Sequence, residues 1–301
     1  MEPDGGDESD LAVDGPSADL NPPEDAGRED MPIATGDVVI GGDRPVTLRI
    51  PEGYAGESLP LVLGLHGYTG NGEQLDAYFG LSRRVDDRRF FLVSPTGTEE
   101  TAGGNPFWNA TDACCNFRGS RVDDVAYLTG LIDEASALVS VDPARVYAVG
   151  HSNGGFMSYR LACDAADRIA ALVSLAGATH DDEADCAASE PVSVLQIHGT
   201  DDVVIRYAGG TIGPSAYPGA EETVRRWALR AGCTGDPVPG ESFDLVRTLP
   251  GADTDPASYD EGCAEGIGAT LWTIQSGSHG PLFQPDYADR ILDFLFAHPK
   301  L

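Results

Sequence analysis

Lysine is almost missing from this chain. Of 19 basic residues only Lys300 is a lysine, and 49 Asp and Glu residues bring the formal net charge to −30. Nucleic acid and anionic membrane surfaces are excluded as partners, because both would be repelled. Long apolar runs are missing too. The densest, LPLVLGL (59–65), is interrupted at Gly64, whereas a membrane-spanning helix needs roughly 18 apolar residues or more. No two cysteines stand in C-x-x-C spacing, so the usual sequence sign of a zinc site is absent. The opening MEPDGGDESD has neither a basic start nor an apolar stretch and does not read as a signal peptide.

What is present supports one large core: 301 residues, 41% of them hydrophobic. The first 30 residues hold eleven carboxylates and a single base, Arg28. Such a segment cannot bury enough apolar surface to fold. Residues 1–36 are therefore read as a disordered acidic linker and 37–301 as the catalytic domain. Six cysteines, an even number, point to disulfides and an oxidising compartment. The chain is expected to be secreted or extracellular, the acidic linker being what remains once a signal is trimmed. Cys233 with Cys263 would close a loop of about 30 residues. Cys163 with Cys186 is the next expected pair, leaving Cys114 to Cys115, although three pairings of these four are open.

From Val38 onward, short apolar runs alternate with helical patterns. The runs are VTLRI (46–50), LVLGLH (61–66), FFLVS (90–94), RVYAVG (145–150), IAALVSLAG (169–177), VSVLQIHG (192–199) and GATLWTIQ (268–275). Helices are expected near 73–89, 123–139, 154–165, 220–231 and 287–296. Continuous apolar runs separated by helices predict an α/β domain, a mostly parallel sheet covered on both faces. In such sheets the chemistry sits in the loops at the carboxyl ends of the strands.

Those loops read HGYTGNG, a long 95–121 segment, GHSNGG, HGTDDVV and SGSHG. Ser152, in G-x-S-x-G, sits between a predicted strand and a predicted helix, as a nucleophile elbow requires. Gly150, Gly154 and Gly155 permit the sharp turn. A serine needs a base and the base an orienting acid. His279 after the last strand and Asp202 after the one before it supply both, with Asp201 the competing acid. The order Ser152, Asp202, His279 is one in which such triads occur. The amides of Tyr68 and Asn153 are candidate donors to an oxyanion. His198 and His151 are read as braces of neighbouring loops, and His180 and His298 as solvated. No metal site is expected.

Taken in series, LHGYTGNG, FWNATDACC, VDDVAYLTGLIDE, VDPARVYAVGHSNGGFMSYRLAC, QIHGTDDVVIRY and SGSHG make the chain resemble a known group. It is similar, from about 41 to 296, to the secreted poly(3-hydroxybutyrate) depolymerases and feruloyl esterases of the α/β-hydrolase superfamily. The resemblance implies ester hydrolysis by Ser152, Asp202 and His279, with Tyr68 and Asn153 as oxyanion hole and no cofactor. Relatives often carry Trp and Pro shortly after the catalytic histidine, whereas this chain reads His279-Gly280-Pro281.

Only about fourteen residues (178–191) separate two predicted strands where many such hydrolases place a lid, so no sizeable lid and an open site are expected. The substrate is read as a polyester oligomer or a plant cell-wall ester, with Trp108 and Tyr68 as its side walls. Two other functions fit the pattern: a serine peptidase of the oligopeptidase type, and a non-catalytic polymer- or carbohydrate-binding protein on a hydrolase fold. A peptidase usually needs a gating domain, and a binder usually lacks a triad member.

Overall fold

The computed structural model describes residues 34–300; residues 1–33 of the expected linker lie outside them. Ten strands form the central sheet: β1 (Val38–Ile40), β2 (Val46–Arg49), β3 (Leu59–Leu65), β4 (Phe91–Val93), β5 (Val141–His151), β6 (Ala171–Leu175), β7 (Ser193–Gly199), β8 (Val238–Pro239), β9 (Thr254–Tyr259) and β10 (Ala269–Ile274). Their spatial order is β1-β2-β4-β3-β5-β6-β7-β10-β9-β8. From β4 to β10 every neighbouring pair is parallel, and both ends of the sheet are antiparallel. The inner strands β3, β6 and β7 are buried along their whole length. This explains why their sequences run apolar instead of alternating.

Helices cover both faces. One face carries α3 (Asp124–Leu138), α4 (Asn153–Asp164) and α5 (Ala220–Arg230), which supply Leu128, Phe156 and Trp227 to its core. The other carries α1 (Gly72–Phe79), α2 (Val85–Arg88) and α6 (Tyr287–Ala297), which supply Phe79, Val85 and Ile291. The single helix expected over 73–89 is broken. Gly80 takes the left-handed conformation and caps α1, and the Asp76 carboxylate then accepts the Ser82 amide at 2.7 Å. Strands β8 and β9, absent from the sequence reading, are short or polar edge segments with weak periodicity.

The 178–191 connection holds only a 3₁₀ turn, Glu183–Asp185, so no helical lid rises there. All six cysteines pair in the expected way: Cys114–Cys115, Cys163–Cys186 and Cys233–Cys263. Among the described residues no helix is long and apolar enough to cross a membrane.

Candidate active site

The carboxyl ends of β3, β5, β7 and β10 deliver His66, Ser152, Asp202 and His279 to one edge of the sheet. Ser152 is the hinge between β5 and α4. Its φ of 54° and ψ of −119° lie where L-residues rarely go. Strain of this kind costs about 1–3 kcal/mol and persists where surrounding structure enforces it. Here the Ser152 amide is tied to the Leu175 carbonyl at 2.8 Å and its carbonyl accepts the Phe156 amide at 3.0 Å. Its side chain does not cap α4, so the hydroxyl is left for other work.

The glycines around it are required by contact. A Cβ on Gly150 would lie 2.1 Å from the Gly154 oxygen, and one on Gly154 would lie 1.9 Å from the Leu65 oxygen. The first turn of α4 thus rests on the backbone at the end of β3. That packing brings the Asn153 amide beside the His66-Gly67-Tyr68 loop. Asn153 opens α4, so its N–H has no carbonyl one turn back in the helix. Among the described residues the Tyr68 N–H also finds no protein acceptor.

His279 and Asp202 are joined. The ring Nδ1 lies 2.7 Å from Asp202 Oδ2, while Oδ1 accepts the amides of Val204 and Ile205 at 2.8 and 2.9 Å. Burial pushes the Asp202 carboxyl up, but the hydrogen bonds from His198 and His279 outweigh it and hold the group well below the usual carboxylate range. Its neighbour Asp201 points to solvent. With Nδ1–H donated to the carboxylate, Nε2 of His279 is left as the basic atom. Ser152, His279 and Tyr68 line one cleft of about 380 Å³.

Three further histidines, His198, His66 and His151, are each committed. His198 Nδ1 accepts from Gln196 at 3.1 Å, which leaves Nε2–H to donate to the Ile205 carbonyl at 2.7 Å and to face Asp202 at 3.4 Å. Gln196 is itself held by the Tyr159 hydroxyl and the Gly177 carbonyl. His66 donates from Nδ1 to the Gly67 carbonyl at 2.7 Å and accepts the Gly97 amide on Nε2 at 2.8 Å. Burial lowers its pKa to about 4. His151 donates to the His279 carbonyl at 2.9 Å. Its pKa is also lowered to about 4, by burial first and then by the charge of His279. The Tyr78 hydroxyl donates to the Pro281 carbonyl at 2.8 Å, so the backbone around His279 is gripped at two points. Nothing in the sequence singles out Tyr78. Among the described residues no cluster of His, Cys, Asp and Glu has the geometry to hold a metal ion.

Two expectations need correction. Trp108 cannot be a substrate wall, because it is fully buried at 0% exposure. Its indole N–H donates to the His66 carbonyl at 3.1 Å, and its own amide and carbonyl are clasped by the Asn153 side chain at 2.7 and 3.0 Å. The short hairpin Thr98–Glu99 with Pro106–Phe107 folds the long loop back against the His66-Gly67-Tyr68 loop, and the indole goes with it. Tyr68, by contrast, does line the cleft. His180 is not solvated: it is 7% exposed, and burial lowers its pKa.

No family model matches the chain. It is 28% identical over 248 residues to Feruloyl esterase B of Piromyces equi, covering 78% of this chain but only 42% of that protein. The chain thus spans less than half the length of that curated relative. It is 29% identical over 256 residues to Feruloyl esterase C of Emericella nidulans, covering 80% of this chain and 85% of that one. Among solved structures, an acetyl xylan esterase from Aspergillus awamori superposes with a TM-score of 0.61 at 15% identity, over 87% of this chain and 98% of the other. The fold is the α/β-hydrolase fold, and the sequence is similar to those of the feruloyl esterases.

Proposed function

We propose that this protein is a serine carboxylic ester hydrolase whose nucleophile is Ser152, base His279 and acid Asp202. The observation that carries this reading is the Asp202–His279 bond at 2.7 Å, with His279 and the strained Ser152 lining the same cleft. His279 Nε2 takes the Ser152 proton as Oγ attacks the ester carbonyl carbon. The oxygen that becomes negative is held by the amides of Tyr68 and Asn153. The imidazolium, steadied by Asp202, returns the proton to the departing alcohol and leaves an acyl-enzyme. Water activated by the same ring then frees the acid and the serine. No step calls for a cofactor.

The acyl groups proposed are of the hydroxycinnamoyl or hydroxybutyrate type. Two relatives are named feruloyl esterases, and the motifs resemble both groups. Three cysteine pairs and the acidic segment before residue 37 favour a secreted enzyme with one catalytic domain. A panel of methyl ferulate, a hydroxybutyrate oligomer, an acetylated sugar and the anilide of ferulic acid tests the reading. At least one ester should turn over while the anilide, with its poorer leaving group, stays intact. Brisk hydrolysis of the anilide would contradict it.

A further inference from the structure

We infer that Phe117, not Trp108, is the wall that selects the acyl group of the ester; this rests on the esterase reading above. The cleft itself sets the chemistry. In a chain with 49 carboxylates, no Asp, Glu, Lys or Arg lines it. Leu75, Tyr78 and Val204 contribute apolar surface beside Ser152. An acyl group entering here finds no charge to pair with, so an uncharged apolar or aromatic group is favoured over a charged one.

Two large apolar side chains stand in water where burial would be expected: Val204, which lines the cleft, and Phe117, which adjoins it through Tyr68. Val204 is 57% exposed on the acid turn, and Phe117 is 57% exposed on the long loop. Phe117 packs edge-to-face on Tyr68, with ring centroids 5.2 Å apart, and so extends the oxyanion loop outward. The acyl group stays on Ser152 through both chemical steps, so a wall fixed to that loop serves it for longer than it serves the departing alcohol.

Both side chains are held ready. The Val204 amide is bonded to the Asp202 carboxylate, so that turn cannot shift without moving the acid. Phe117 follows Asn116, whose side chain donates to Asn109 at 3.0 Å and to the Ser120 carbonyl at 2.7 Å and accepts the Ser120 amide at 2.7 Å. The Phe117 amide donates to the Cys115 carbonyl at 2.9 Å, and Cys115 is bonded to Cys114. Tyr68 is fixed in turn by its hydroxyl, which donates to Glu100 at 2.7 Å. An exposed aromatic on a braced loop binds a ligand without the cost of ordering the loop.

The test compares methyl ferulate, benzyl acetate and methyl acetate, which enlarge the acyl group and the alcohol separately. Phe117→Ala should lower the methyl ferulate to methyl acetate ratio of kcat/KM about tenfold, with the benzyl acetate to methyl acetate ratio moving far less. Phe117→Leu should recover part of the loss. Val238→Ala, an exposed apolar side chain on the edge strand β8, should keep the wild-type ratios. Unchanged ratios in Phe117→Ala, or a loss that follows the alcohol, would overturn the assignment. Binding of methyl ferulate to Ser152→Ala, with and without Phe117→Ala, separates the two readings. If Phe117→Ala weakens that binding about tenfold while the wild type hydrolyses no ester, the wall stands and the esterase reading fails. Binding indifferent to Phe117 overturns the wall whatever the turnover.

Discussion

Asp202 is buried and held by four groups: two backbone amides on one oxygen, His279 and His198 on the other. These bonds hold the carboxylate ionised and fix the turn on which it stands. Asp201, one residue earlier, makes no side-chain hydrogen bond among the described residues and faces solvent. Asp202→Asn should therefore cut kcat on a responsive ester by about 10³-fold or more, since the amide can favour the wrong tautomer of His279. Asp201→Asn should cost only a few-fold. Steady-state kinetics of the two variants side by side checks this, and a larger loss for Asp201→Asn would reverse the assignment. The sequence places Trp108 in a loop on the active edge but says nothing of which way that loop turns. The direction is set by Asn153, which takes both the amide and the carbonyl of Trp108.

The parallel strands and the helices behind them were legible because each buries a continuous apolar run or a periodic stripe. Chain order then placed Ser152, Asp202 and His279 at strand ends. What escaped rests on pairings and hydrogen bonds that no sequence pattern announces: the hairpin Gly209–Ile212 with Ser215–Pro218, strand β9, and the grip of Tyr78 on Pro281. Polar contacts between distant segments leave no periodic trace. The loops at the strand ends are pinned by two neutral imidazoles, His66 and His151, and this predicts a pH dependence. Unfolded rings bind protons near pH 6.5, whereas these two bind them only at about 4. The unfolded state therefore holds more protons between those values, and stability is full above pH 6.5 and falls as pH drops toward 4. Each ring contributes up to about 3 kcal/mol over that window. Urea unfolding at pH 7.5, 6 and 5 should show the decline, and a flat profile would mean that the rings titrate normally in the fold.

The whole molecule sets a strongly negative surface against an uncharged cleft. The net charge of −30 would repel an anionic ester at long range, and the cleft carries no Asp, Glu, Lys or Arg to offset that repulsion. One sheet edge gathers a strained serine, a histidine bonded to a buried aspartate, and two backbone amides. The central claim is that Ser152 becomes acylated in every turnover. Its most direct measurement is mass spectrometry of the intact protein quenched during hydrolysis of methyl ferulate, with the peptides then mapped. The account predicts a feruloyl adduct on Ser152 in the wild type and little or none in His279→Ala, which lacks the base that acylation needs. It also predicts no adduct in Ser152→Ala, whose kcat should fall at least about 10³-fold at unchanged thermal stability. Turnover by Ser152→Ala within tenfold of the wild type, or an adduct on another residue, would contradict it.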